Sequence, residues 1–147
     1  MKRILPPTHF LLALVSMTVL HFVWPLHRFW EFPLSLAGLI PLVCGVVLNL
    51  VADRQFKHHQ TTVKPFEKSS ALITAFPFSF SRHPMYLGMT LILLGIALLF
   101  GTVSPLLPAA AFAILVDLHF IRAEEKMLAD DFSHEWDQYR ARVRRWL

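Results

Sequence analysis

Two short stretches hold the residues whose types and spacing could do chemistry. The first, SRHPMYLGM (Ser81 to Met89), places Arg82 and His83 directly before a proline and the proline before an apolar run. Proline is tolerated in the first turn of a helix, where its missing N–H would have no partner, so Pro84 marks a helix start. The backbone N–H groups of that turn, Met85 to Leu87, then face outward with the positive end of the helix dipole, an arrangement that attracts anions. Arg82 and His83 add positive charge beside them, and Gly88 removes a side chain where a flat ligand could approach closely. The competing reading of Arg82 is a snorkelling arginine at the end of a membrane span.

The second stretch, AEEK (Ala123 to Lys126), carries adjacent carboxylates. Neighbouring residues on a helix face different directions, so Glu124 and Glu125 are poorly placed to share one metal. They are well placed to hold two groups of one ligand, a cation and a diol. Asp117 lies seven residues before Glu124, on nearly the same helical face and just inside an apolar run. An ionisable group at that depth is a functional candidate, with structural pairing to Arg122 or a nearby histidine as the alternative. A cationic helix start on one arm and carboxylates on the next describe a pocket for a small zwitterion bearing a diol.

Hydropathy defines the elements that must position these residues. Of 147 residues 55% are hydrophobic, against about 45–50% in ordinary soluble domains. The apolar residues fall into blocks at Thr8 to Trp24, Phe32 to Ala52, Pro84 to Val103 and Pro105 to Ile121, each near the roughly 17 to 25 residues that cross a bilayer. The expected fold is all-α: a single domain, an integral membrane bundle of four transmembrane helices with a loop from Asp53 to Ser81 and a tail from Arg122 to Leu147. The short connections PLHRFWEF and FGTVSP pair spans one and two, and spans three and four, as hairpins. Pro41 reads as a kink in span two. The phenylalanines of the loop predict that it folds over the membrane face. In the tail, Trp136, Tyr139, Val143 and Trp146 recur at spacings of three and four among arginines, an amphipathic helix suited to anionic headgroups or to packing on the protein's own loop.

Alternating spans put Lys2, Arg3, Arg54, Lys57, Lys64, Lys68, Arg82, Arg122, Lys126, Arg140, Arg142, Arg144 and Arg145 on one side and Arg28 alone on the other. Such asymmetry predicts both termini in the cytoplasm, with a bacterial inner membrane as the expected setting. It also accounts for the net charge of +4 without nucleic acid as a partner. The charged start and apolar centre of the first block lack a small-x-small cleavage site, so that block reads as a retained span. Cys44 is the only cysteine, which leaves no CxxC redox pair. Among the eight histidines, His9 and His21 are twelve residues apart, His58 and His59 adjacent, and His119 near the end of span four. None pairs at i, i+4, so no metal site is expected; a histidine-ligated haem or metal protein and a non-enzymatic membrane scaffold stand as alternatives.

SRHPMYLGM, followed by AEEKMLADDF and then WDQYRARVRRWL, resembles the isoprenylcysteine carboxyl methyltransferase and phospholipid methyltransferase family, integral membrane enzymes that use S-adenosylmethionine. The resemblance runs from about Thr61 to Leu147. It implies that Arg82, His83, Tyr86 and Gly88 match the family's cofactor loop, that His83, Tyr86 and the turn Pro84, Met85, Leu87 bind S-adenosylmethionine, and that Glu124 or Glu125 closes the site. It further implies a tunnel from the lipid bilayer for a lipophilic or small hydrophobic methyl acceptor. Related sequences often carry Gly-Pro-aromatic-Arg where this chain has Phe76, Pro77, Phe78 and Ser79, and Phe-Gly then Tyr where it has Ser133 and Trp136. Methyl transfer from a sulfonium depends chiefly on in-line positioning. A carboxylate acceptor needs no base, whereas an amine or phenol would draw on Glu124, Glu125, Asp117 or His83. Arg82 is the group expected to orient an anionic acceptor, which with Glu124 and Asp117 makes up the catalytic set.

Overall fold

The computed structural model describes residues 5–60 and 71–147, so Lys2, Arg3, Lys64, Pro65, Phe66 and Lys68 lie outside the described residues. Helix α1 (Pro6–Val23) begins on a proline pair. A 3-10 turn (Leu34–Gly38) feeds α2 (Leu39–His58). Pro41 therefore sits in the first turn of α2, where its absent N–H costs nothing, and the kink expected there gives way to a helix start. Helix α2 also runs through the charged segment assigned to the loop, with Lys57 reaching back 2.5 Å to Asp53 at i, i+4.

Helix α3 (Pro84–Phe100) opens on Pro84 as the sequence predicts and stops at Gly101, whose φ of 68° supplies a left-handed cap. Helix α4 (Leu106–Val116) passes without a break through a π turn (Asp117–Ile121) into α5 (Arg122–Arg142). Span four and the tail as far as Ser133 are thus one continuous element rather than two. Among the described residues, three helical stretches, Pro6–Val23, Leu34–His58 and Leu106–Arg142, are long and apolar enough to cross a membrane. The apolar α3 has 17 residues, about 25 Å at 1.5 Å per residue. The described residues are helices joined by turns, as the composition predicts.

Of the two expected hairpins the second forms, with α3 packed on α4, whereas the first does not: α1 packs on α4 and α3, and α2 on α3. Helix α3 is central, with α2 against one side and α1 and α4 against the others. The α2–α3 contact is made by glycines at seven-residue spacing on antiparallel helices. A Cβ added at Gly95 would stand 2.6 Å from the Gly38 carbonyl oxygen, and one at Gly45 would stand 2.5 Å from that of Gly88. Between membrane helices there is little hydrophobic drive, so close backbone approach and dispersion hold the pair together. On the other side Met17, Leu93, Ala97, Phe112, Val116 and Ile121 form a buried core among α1, α3 and α4. The outer faces of α1 and α2 expose Leu11, Leu12, Val15, Ile40, Val47 and Leu50, apolar surface suited to lipid.

At the end of the bundle remote from the site, Ser104 donates to the Trp24 carbonyl (2.6 Å) and accepts from the Leu26 amide (2.7 Å). His21 meets the Thr102 hydroxyl at 2.9 Å and stacks on Phe100. These contacts tie the first connection to the second across the top of α3. His9 instead lies edge-on to Phe120 at the opposite end of α1.

Candidate functional site

Pro84 makes Arg82 and His83 the last residues before α3. The loop segment that delivers them is pinned from both sides. Gln55 of α2 donates to the Phe76 carbonyl (2.8 Å), and Tyr139 of α5 donates to that of Phe78 (2.7 Å). Ala52, Ile73, Phe78, Trp136 and Tyr139 bury one another in a second apolar cluster. Of the two readings of the tail stripe, packing on the protein's own loop is the one realised for Trp136 and Tyr139, while Arg140, Arg142 and Arg144 stay exposed. Phe78 folds inward as expected; Phe76 and Phe80 do not. The chain turns sharply at Ser133 (φ 33°, ψ −100°), the position where related sequences often carry glycine, and this turn brings the second half of α5 back over the loop.

The two arms meet. His83 is buried between the adjacent acids, with Nδ1 3.4 Å from Glu124 Oε2 and Nε2 3.5 Å from Glu125 Oε1. Residues expected to hold separate groups thus bracket one imidazole. Tyr86, one turn into α3, donates its hydroxyl to Glu124 Oε1 at 2.5 Å. Arg82 Nη2 lies 3.1 Å from Glu125 Oε1, and its guanidinium rests over the Trp136 ring at 5.5 Å. Burial works to lower the His83 pKa, but contact with Glu124 and Glu125 and their charges outweigh it, and the net direction is up. Arg82 is pushed the other way, chiefly by burial, yet an arginine keeps its charge.

The C-terminal residues after α5 form a strap that no sequence motif marks. Arg82 N donates to the Arg144 carbonyl at 3.1 Å and the Ser81 hydroxyl to that of Arg145 at 3.2 Å. The Arg145 side chain grips Glu125 with two bonds, Nη2 to Oε2 at 2.6 Å and Nε to Oε1 at 3.2 Å, and reaches Asp117 at 3.4 Å. Trp146 donates its indole N–H to the same Asp117 oxygen at 3.1 Å. Asp117 also lies 3.6 Å from Arg122, the structural pairing the sequence offered as an alternative. It does not share the Glu124 face. The π turn takes more residues per revolution than an α-helix, which rotates Asp117 into line with Glu125 and places both under Arg145.

Gly88 is redirected too. Its missing side chain makes room for α2, where Asn49 and the Gly45 carbonyl would block any Cβ, and not for a flat ligand. Of the first-turn amides, that of Leu87 is spent on the His83 carbonyl at 3.1 Å, while Met85 and Tyr86 have no such bond. Buried polar atoms Arg82 Nε, Arg82 Nη1 and His83 Nε2 have no hydrogen-bond partner among the described residues. The Arg82 side chain is only 9% exposed, so unused donors there are costly and fit a bound oxyanion. Glu124, with 24% of its side chain exposed against 13% for Glu125, is the acid open to a cation or hydroxyls. A carboxylate-bearing zwitterion such as S-adenosylmethionine fits this donor set. Beside Asp117, a shallow and open groove lined by Ala113, Ile114, Leu118 and Trp146 lies on the apolar face of α4. No group of three or more potential metal ligands forms among the described residues.

No curated protein matches the chain. A solved structure of a eukaryotic intramembrane Ras methyltransferase, isoprenylcysteine carboxyl methyltransferase, is similar with a TM-score of 0.74 and 24% identity over 95% of this chain and 52% of that one. The likeness establishes the membrane fold, and this chain spans about half the length of that protein. The family model described as phospholipid methyltransferase matches residues 34–135, a run that contains Arg82, His83, Tyr86, Glu124 and Glu125. With more than half of its length and both arms of the site inside that match, the chain belongs to the phospholipid methyltransferase family.

Proposed function

We propose that this protein is an integral membrane methyltransferase that binds S-adenosylmethionine at the His83–Glu124–Glu125 cluster and methylates a lipophilic acceptor. The observation that carries the reading is the convergence of the α3 start and the α4–α5 acids on one buried imidazole, with donors left over on Arg82. The Arg82 edge and the Met85 and Tyr86 amides suit the carboxylate of the cofactor. Glu124, oriented by Tyr86, suits its ammonium group or ribose hydroxyls. When bound, the cofactor supplies a methyl group on a positively charged sulfur. The carboxylates beside both ring nitrogens raise the His83 pKa against its burial and favour the protonated form, which suits a charge anchor better than a base. An acceptor that must lose a proton would hand it to Glu124, and a carboxylate acceptor would need no transfer at all.

The groove beside Asp117 supports a lipophilic acceptor, since Ile114 and Leu118 are 60% and 46% exposed on the apolar face. An isoprenylcysteine-like carboxylate and a phospholipid-like amine both suit such a site. Labelled S-adenosylmethionine titrated into detergent-solubilised protein is expected to bind saturably, and His83→Ala or Glu124→Ala to abolish binding while the protein still inserts and purifies. Undiminished affinity in both variants would dismantle the site. Mass spectrometry of lipids from cells with and without the protein should then reveal an acceptor heavier by one methylene.

A further inference from the structure

The two adjacent glutamates do not have equal surroundings. Glu125 meets Arg145 through two bonds, Arg82 through a third contact and His83 through a fourth. Glu124 meets Tyr86 and one edge of His83. Arg145 is itself fixed, since its carbonyl accepts from Ser81 and the neighbouring Arg144 carbonyl from Arg82. Trp146 locks the next residue onto Asp117. The strap therefore joins the α3 start to the α4–α5 helix across the site, and it lies beyond residues 34–135 of the family match.

We infer that Arg145 is a positioning residue: it saturates Glu125, fixes the spacing of the two arms, and leaves Glu124 as the single acid presented to the ligand. The inference rests on the cofactor reading above and assigns different roles to its acidic pair. A bidentate guanidinium–carboxylate pair fixes orientation as well as charge, which a lone ammonium does less well. With Glu125 occupied on both oxygens, a bound cation gains most from Glu124. Arg144 supplies only its backbone, and its exposed side chain is a built-in control.

The test compares S-adenosylmethionine affinity and ligand-free melting temperature across variants of the full chain in detergent. Arg145→Ala is expected to weaken binding about tenfold, the scale of one lost charge-assisted hydrogen bond. Glu125→Gln should weaken binding to a similar degree, and the double variant no further than either single change, because both remove the same contact. Arg145→Lys should recover part of the loss, and Arg144→Ala should bind like the wild type. Glu124→Gln should be the most damaging change. If Arg145→Ala does not fold, Arg145→Lys and Arg145→Gln carry the comparison. Additive losses at Arg145 and Glu125, or a greater loss at Glu125 than at Glu124, would overturn the assignment. A wild-type chain that binds no S-adenosylmethionine overturns the cofactor reading itself, whereas wild-type binding with an unaffected Arg145→Ala overturns only the role given to the strap.

Discussion

At the scale of single residues the site works by charge sharing. His83 stands with a carboxylate at each ring nitrogen, and the flanking acids raise its pKa despite burial. A raised value means that the folded chain holds this proton more tightly than the unfolded chain does. The stabilisation is complete below about pH 6.5, where an unfolded histidine is itself protonated, and is lost as pH climbs through the higher folded value. The melting-temperature margin of the wild type over His83→Gln should therefore be largest on the mildly acidic side, below about pH 6.5, and shrink as pH rises. A margin that widens with rising pH would mean that the neutral imidazole is the form the site prefers. Arg82, His83 and the glutamate pair stand out by type and spacing, and Tyr86 through the resemblance to the family. Arg145 does not, because nothing local distinguishes it from Arg144 or Arg142 in RARVRRWL.

At the scale of elements, two irregularities in one long helix shape the site. The π turn rotates Asp117 away from Glu124 and toward Glu125, and the Ser133 turn folds α5 onto the loop. Periodicity assumes 3.6 residues per turn throughout, so it placed Asp117 on the wrong acid's face. Ser133 holds a positive φ of 33°, a region that costs a side-chain-bearing residue of order 1–3 kcal/mol. Ser133→Gly is accordingly expected to stabilise the protein by about 1 kcal/mol. Its melting temperature in detergent should rise with cofactor binding unchanged, and a fall would show that the serine hydroxyl or the lost chain entropy outweighs the relief. The glycines of the α2–α3 seam belong to this scale as well. Their seven-residue spacing is visible in the sequence, but Gly88 also sits next to Arg82 and His83, where a ligand is an equally simple reason for a missing side chain.

At the scale of the whole molecule the distribution of charge and the distribution of chemistry coincide. The site lies at the bundle end that holds Arg54, Lys57, Arg82, Arg122 and Arg140, and Arg28 stands at the other end, paired in a short bridge with Thr102. The positive-inside rule predicts a cytoplasmic basic end. In a Cys44→Ser background, Arg28→Cys should react with a membrane-impermeant maleimide on intact cells, and Arg144→Cys only after permeabilisation. The reverse pattern would place the site on the outer surface, away from cytoplasmic S-adenosylmethionine.

The sequence by itself determined which segments are apolar enough to enter a membrane, where α3 begins, and which side chains are clustered enough along the chain to do chemistry. Those properties are local: hydropathy sums over neighbours, and proline acts on its own turn. Only the tertiary structure decided that α3 is central, that the adjacent glutamates divide their partners, and that the last residues of the chain cross the site. Each of these depends on which distant surfaces meet, and in a membrane that choice rests on close backbone approach and a few buried polar contacts, neither of which leaves a periodic trace in the order of residues.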